Sequence, residues 1–175
     1  MSSRAEVVWL TGLSGAGKST LAEALAAALR AHGETVAVLD GDVLRQGLCS
    51  DLGFSPEDRV ENIRRTAEVA RLMQQAGLRV IVALISPYAA ERAAAQARFA
   101  PGEFIEVHVH APLSVAEARD PKGLYARARR GEIRQFTGID APYEAPATPA
   151  LRIDTSRCNV TEAVTQLLNL LRPAD

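Results

Sequence analysis

Short apolar runs alternate with stretches of helical periodicity along the chain. The runs are EVVWLTG (6–12), TVAVLD (35–40), RVIVALIS (79–86), EFIEVHVHA (103–111) and LRIDT (151–155). They are largely continuous rather than alternating, as expected of strands covered on both sheet faces. Between them, the pattern predicts helices over about Lys18–His32 and Pro56–Ala76, in AAERAAAQARF (89–99) and within NVTEAVTQLLNLL (159–171). This order predicts an α/β fold, a parallel sheet with helices on both faces. At 175 residues, with no internal repeat and no low-complexity linker, the chain reads as a single domain, 1–175. One stretch breaks the rhythm: DPKGLYARARRGEIRQFTGIDAPYEAPATP (120–149) reads as a short basic helix and a loop rich in Gly and Pro. Its length, charge and isolated aromatics favour a functional lid.

Composition narrows the classes. Hydrophobic residues make up 47% and charged residues 23%, ordinary values for a globular protein. The net charge of -1 gives no reason to expect a nucleic-acid partner. No apolar run has the length of a membrane span and the N-terminus carries no signal-peptide pattern, so the expected home is the cytoplasm. Cys49 and Cys158 lack metal or redox spacing and read as reduced thiols. His108 and His110 share a strand face without a third ligand nearby, which favours packing over metal binding. Of 20 basic residues, 18 are Arg and only Lys18 and Lys122 are Lys. Where lysine persists against that bias, a compact and mobile ammonium is implied.

Lys18 stands in GLSGAGKST (12–20), which satisfies G-x-x-x-x-G-K-[ST] between a strand and a helix. Such a P-loop turns backbone N–H groups and a helix N-terminus toward phosphates. Gly12, Leu13, Ser14, Gly15, Ala16, Gly17, Lys18, Ser19 and Thr20 are therefore the candidate ATP-binding residues, with Ser19 as the Mg²⁺ ligand. The fold expected is that of a P-loop NTPase. No N-K-x-D motif is present, which argues against a GTPase switch, and the size and late basic lid suit a small-molecule kinase.

The second strand ends in LDGDVLR, which places Asp40 and Asp42 at the carboxyl edge where ligands of parallel sheets sit. A carboxylate there could orient an acceptor hydroxyl or reach Mg²⁺ through water. In LGFSPEDRVENIRR, Ser55 reads as an N-cap with Pro56 behind it. Arg59 and Asn62 then share a face apart from the apolar stripe Val60, Ile63, Ala67 and Ala70. With Arg45 they could hold an anion, although each arginine alone reads as a solvated surface group.

GLSGAGKST, LDGDVLR, LGFSPEDRVENIRR, ISPY, ARDPKGLY and FTGIDAPYEAP occur in the order and spacing of adenylylsulfate kinase, and the chain resembles that family from about Glu6 to Thr155. The resemblance implies transfer of the γ-phosphoryl group of MgATP to the 3′-hydroxyl of adenylyl sulfate, with ATP as co-substrate and Mg²⁺ as cofactor. It further implies that Phe54 and Phe136 clamp the acceptor adenine while Arg45, Arg59, Asn62 and Ile85 line its site. Asp42 would serve the accepting hydroxyl, supported by Asp40. Lys122 would descend with the lid onto the transferring phosphates, and Arg119 would flank the ATP adenine. Residues 119–134 carry six basic and two acidic groups, a balance of +4. Also implied are a homodimer and a functional link to ATP sulfurylase.

Ser86 is the family's proposed phosphoserine. Its position before Pro87 gives it a plainer expected role as a helix N-cap, and direct in-line transfer is the favoured mechanism. Departures from the usual family pattern at Cys49, Ser50, Ala89 and His110 bear on the acceptor pocket and subunit contacts. The alternatives are a P-loop kinase of another small hydroxyl substrate and an inactive nucleotide-binding regulatory partner.

Overall fold

The structure is a computed structural model and describes residues 6–171. The elements run β1 (Val7–Thr11), α1 (Lys18–Ala31), β2 (Val36–Asp40), α2 (Gly41–Leu44), α3 (Pro56–Gln75), β3 (Arg79–Ala83), α4 (Ala89–Gln96), β4 (Phe104–His110), α5 (Leu113–Arg119), α6 (Leu124–Arg129), β5 (Leu151–Asp154) and α7 (Val160–Leu171). All strand pairs are parallel, in the order β2-β3-β1-β4-β5. The α/β class expected from the sequence is what the chain adopts. The short helix α2 and the helix α5 are additions to that expectation, and both flank the carboxyl edge.

Alternation in β1 supplies two cores from one strand. Val8 and Leu10 pack with Leu21, Leu25 and Leu29 of α1 and Leu167 of α7. Val7 and Trp9 point the other way, toward Ile63, Ala67 and Ala70 of α3 and Phe104. Every residue of β1 and β3 is buried, and all but Thr11 and Arg79 are apolar, as expected of strands covered on both faces. Helix α1 is built largely of Ala and Leu and ends where Gly33 takes a left-handed φ of 82°. In α3, Ser55 Oγ accepts from Asp58 N at 3.1 Å with Pro56 first in the helix.

The chain leaves β1 toward β2 on one side and later crosses to β4 on the other. Between β1 and β3 lies the switch point at which open parallel sheets bind ligands, with the 12–17 loop and Ser86 on its two lips. At the opposite edge Arg79 is buried, and it donates to Glu34 Oε2 and Glu6 Oε2, both at 2.6 Å. Arg79→Ala leaves both carboxylates without this partner. It is expected to cost about 2 kcal/mol and lower Tm by about 4–8 °C in thermal unfolding. An unchanged Tm would show that the pairs add no net stability.

Candidate active site

A cleft of about 1110 Å³ opens at the carboxyl edge of the sheet. It is lined by Ser14, Gly15, Gly17, Lys18, Ser19, Thr20 and Arg119 on one side. On the other side are Asp40, Asp42, Arg45, Phe54, Arg59, Asn62, Ile85, Ser86, Lys122 and Phe136. That volume exceeds what one drug-sized ligand needs and suits two nucleotides. Gly12, Leu13 and Ala16 stand behind the lining and act through geometry. A Cβ on Gly12 would lie 2.1 Å from the Val109 carbonyl oxygen, so only glycine lets the loop sit against β4.

Lys18 Nζ donates to the carbonyls of Gly12 (2.9 Å) and Leu13 (2.7 Å). Tyr125 Oη donates to Ser14 O (2.7 Å), Arg119 to Gly15 O (3.3 Å) and Thr155 Oγ1 to Ala16 O (2.7 Å). Five successive carbonyls are thus held by side chains. Helix α1 begins directly after, with no side chain capping its first amides. The positive end of this backbone faces the cleft, as an anion site requires.

Burial and the charge of Lys122 together hold the Lys18 amine well below the usual lysine value, at about 7, against the pull of Asp40 and Asp42. An entering phosphate supplies the missing counter-charge. Nucleotide binding near pH 8.5 is therefore expected to take up close to one proton, because the amine is largely neutral before binding and charged after it. Affinity falls as pH rises above about 7. Calorimetry of MgADP binding in two buffers of different ionisation enthalpy measures the uptake; Lys18→Met should abolish it.

Two carboxylates divide the work at the end of β2. Asp40 caps α2 by accepting from Asp42 N at 2.9 Å, and its other oxygen accepts from Ser19 Oγ at 2.5 Å. Asp42 accepts from Lys122 Nζ in an ion pair that stays half exposed and so is easily opened. Asp40 therefore belongs with Ser19, and Asp42 with the 120–149 segment.

Arg59 is 8% exposed, not a solvated surface group, and with Asn62 it extends the buried face of α3 toward the cleft. This corrects the expectation of a separate face: Val60 lies only half-buried, while Arg59 and Asn62 turn inward beside Ile63. Arg59 donates to Phe54 O (2.9 Å), Thr137 Oγ1 (2.5 Å) and Gln135 O (2.6 Å). One guanidinium therefore fixes the backbone around both aromatic residues of the cleft. Phe54 is 57% exposed under the Arg45 guanidinium, 4.2 Å from its ring, whereas Phe136 is buried edge-on against Tyr125.

Ser86 is not a helix cap. The N-cap of α4 is Tyr88, two residues later, and Ser86 itself adopts φ 42°. Its hydroxyl accepts from Trp9 Nε1 (3.0 Å) and donates to Leu84 O (3.2 Å), so it is turned into the protein, with the residue only 3% exposed. Arg92 holds its carbonyl, and the same arginine holds Glu144 O. Glu144 N donates to Pro87 O, and its carboxylate accepts from Ala89 N. The sequence YEAP thus anchors the ISPY loop.

In the basic stretch, Arg129 pairs with Glu117, and Arg127 and Arg130 pair with Glu132. Only Arg119 and Lys122 of its six basic residues line the cleft. Cys49, Ser50, Ala89 and His110 do not line it. Cys49 is a fully buried core residue, and the His110 ring packs edge-on against His108. Sequence reasoning missed Tyr125 and Thr155 as supports of the loop. For Thr155 a signal existed, a polar residue at the carboxyl end of a strand in a P-loop chain.

The adenylylsulphate kinase family matches residues 4–154. The chain belongs to that family. The adenylyl-sulfate kinase of Klebsiella pneumoniae (strain ATCC 700721 / MGH 78578) is 58% identical over 98% of this chain and 85% of its own length. That of Marinobacter nauticus is 55% identical over 95% of this chain and 83% of its own. Among solved structures, the Mycobacterium tuberculosis APS kinase in complex with AMPPNP and APS superposes with a TM-score of 0.92 at 48% identity, covering 96% of this chain and 98% of that one. A gluconokinase from Sinorhizobium meliloti, 18% identical with a TM-score of 0.61, shares the fold over 96% of this chain and 92% of its own. The activity of this adenylylsulphate kinase family member is that of an ATP-using phosphotransferase with a hydroxyl acceptor.

Proposed function

We propose that ATP occupies the P-loop side of the cleft and adenylyl sulfate the Phe54 and Phe136 side, with direct in-line transfer between them. The carrying observation is the single cleft that joins a polarised phosphate loop to a second set of cationic and aromatic groups. Arg45, Arg59, Asn62 and Ile85 line the acceptor half, and Arg119, Gly15 and Thr20 the ATP half. The Ser19 hydroxyl and Asp40 carboxylate offer the hard oxygen donors that suit Mg²⁺, a cation that keeps most of its water. When bound there, Mg²⁺ would neutralise charge on the β- and γ-phosphates.

Lys18 leaves the two loop carbonyls for the phosphates, and Lys122 leaves Asp42 for the same charge. Asp42, released, accepts the proton of the 3′-hydroxyl. The 3′-oxygen forms a bond to the γ-phosphorus as the bond to the β–γ bridging oxygen breaks, giving 3′-phosphoadenylyl sulfate and ADP. The inward hydrogen bonds of the Ser86 hydroxyl support direct transfer over a phosphoserine intermediate. Segment 120–149 of a single domain serves as the lid. A cytoplasmic homodimer working beside an ATP sulfurylase completes the reading, on the strength of the family resemblance.

ADP release with MgATP is expected only when adenylyl sulfate is added, with adenosine 5′-monophosphate inactive and the product identified by mass. Acceptor-independent turnover would overturn the reading. Asp42→Asn is expected to lower kcat by about 10²–10⁴ while nucleotide still binds. Ser86→Ala should keep kcat within about tenfold, since it removes no group from direct transfer; complete loss from a folded, ATP-binding variant would favour the phosphoserine route.

A further inference from the structure

Among the described residues Tyr125 is the second-largest fully buried side chain, yet it sits in the basic segment between two glycines of positive φ, Gly123 and Gly131. Its placement is specified from three directions. The Asp120 carboxylate accepts from Tyr125 N and Ala126 N, both at 3.0 Å, and so holds the start of α6. The ring meets Phe136 edge-on, with centroids 5.0 Å apart and planes at 83°. The hydroxyl donates to Ser14 O at 2.7 Å.

The partner it chooses matters. In a trans peptide the carbonyl and the following N–H point in opposite directions. Holding Ser14 O on the protein side therefore turns Gly15 N–H toward the cleft. Gly15 has φ 75°, and a glycine occupies positive and negative φ with similar ease, so the Ser14–Gly15 peptide has little intrinsic preference between its two orientations. A Cβ there would meet the Ala116 carbonyl oxygen at 2.8 Å, so the position cannot gain that preference from a larger residue. The orientation must come from outside the loop, and the tyrosine hydroxyl supplies it. Burial pushes that hydroxyl up to about 12, so it remains a proton donor across the working pH range.

We propose that Tyr125 is a positioning residue that aims the Ser14–Gly15 peptide at the ATP phosphates and ties that aim to the acceptor side of the cleft through Phe136. The inference rests on the assignment of ATP to the P-loop and of adenylyl sulfate to the Phe136 side. Phe136 is itself held, because Asp140 accepts from the backbone N–H groups of Gln135 and Phe136, and Arg59 holds Gln135 O. A ring packed on Phe136 and bonded to the P-loop gives the two halves of the cleft one shared support.

Two variants test it, with MgADP affinity measured by calorimetry in the absence of acceptor and kinetics measured well below Tm. Tyr125→Phe keeps the ring and removes only the hydroxyl. It is expected to lower Tm by no more than about 6 °C, to weaken MgADP binding about tenfold and to lower kcat/KM for ATP by a similar factor. KM for adenylyl sulfate at saturating ATP should stay within about twofold. Phe136→Leu removes the ring contact and is expected to weaken MgADP binding about threefold, an effect that direct contact with the acceptor does not produce. Wild-type MgADP affinity in Tyr125→Phe, even with a lowered Tm, overturns the role of the hydroxyl, because it makes the bond merely structural. Wild-type MgADP affinity in Phe136→Leu overturns the tie to the acceptor side. If the unaltered protein binds MgADP but does not turn over adenylyl sulfate, the acceptor assignment fails, while weakened MgADP binding in Tyr125→Phe still upholds the aim of the peptide.

Discussion

The site depends on the direction of a few peptide dipoles. A phosphate loop works only if its N–H groups converge, and converging N–H groups require the carbonyls behind them to have partners elsewhere. Here Tyr125, Arg119 and Thr155 supply those partners for Ser14, Gly15 and Ala16, while the Lys18 bonds to Gly12 and Leu13 are the ones that the proposed reaction gives up. These side chains come from α1, from the basic segment and from the end of β5, so the loop's shape is a property of the assembled sheet edge. The parallel sheet makes this possible by bringing the carboxyl ends of β1, β3 and β5 to one edge.

Arginine usage follows the same logic. Arg45 holds Leu52 O and Gly53 O, Arg59 holds Phe54 O and Gln135 O, and Arg92 holds Ser86 O and Glu144 O. Each carbonyl belongs to irregular backbone beside the cleft, where no strand or helix satisfies it. A planar fork with five donors can bind several such oxygens at once and keep its charge when buried, which an ammonium on a flexible stem cannot do as well. The two lysines occupy the opposite role. Lys18 bonds two loop carbonyls and Lys122 a half-exposed carboxylate, and in the proposed reaction both exchange these partners for phosphate. The lysine-poor composition thus separates fixed cations from mobile ones.

Much of this was legible in the residues. Continuous apolar runs gave the buried parallel strands, because a strand covered on both faces has no polar side to reveal. The complete G-x-x-x-x-G-K-S pattern located the phosphate loop, since glycine spacing and a lysine at a helix start are local requirements. Asp40 and Asp42 lie at the carboxyl edge as LDGDVLR implied, but the side chain that each one meets had no local signal. Which carboxylate meets Ser19 and which meets Lys122 depends on α2, a single turn too short to leave a periodic signal. Ser86 was misread as a cap for a related reason: Ser-Pro is a common helix start, yet here the chain turns through positive φ and the helix begins at Ala89.

The sequence by itself determined the sheet, the phosphate loop and, through motif order, the family, because these rest on local spacing and on the period of apolar residues. Tertiary structure alone decided what the buried polar groups do. Arg59 is indistinguishable from a surface arginine in its own helix, and it becomes the support of Phe54 and Phe136 only when residues 76 to 78 positions further along the chain arrive to accept its hydrogen bonds. Tyr125 reads as one aromatic in a polar segment until folding closes a separation of 111 residues to Ser14. Hydrogen bonds of that range carry no local sequence signature, since either partner alone is compatible with many environments, and only the assembled sheet edge selects one.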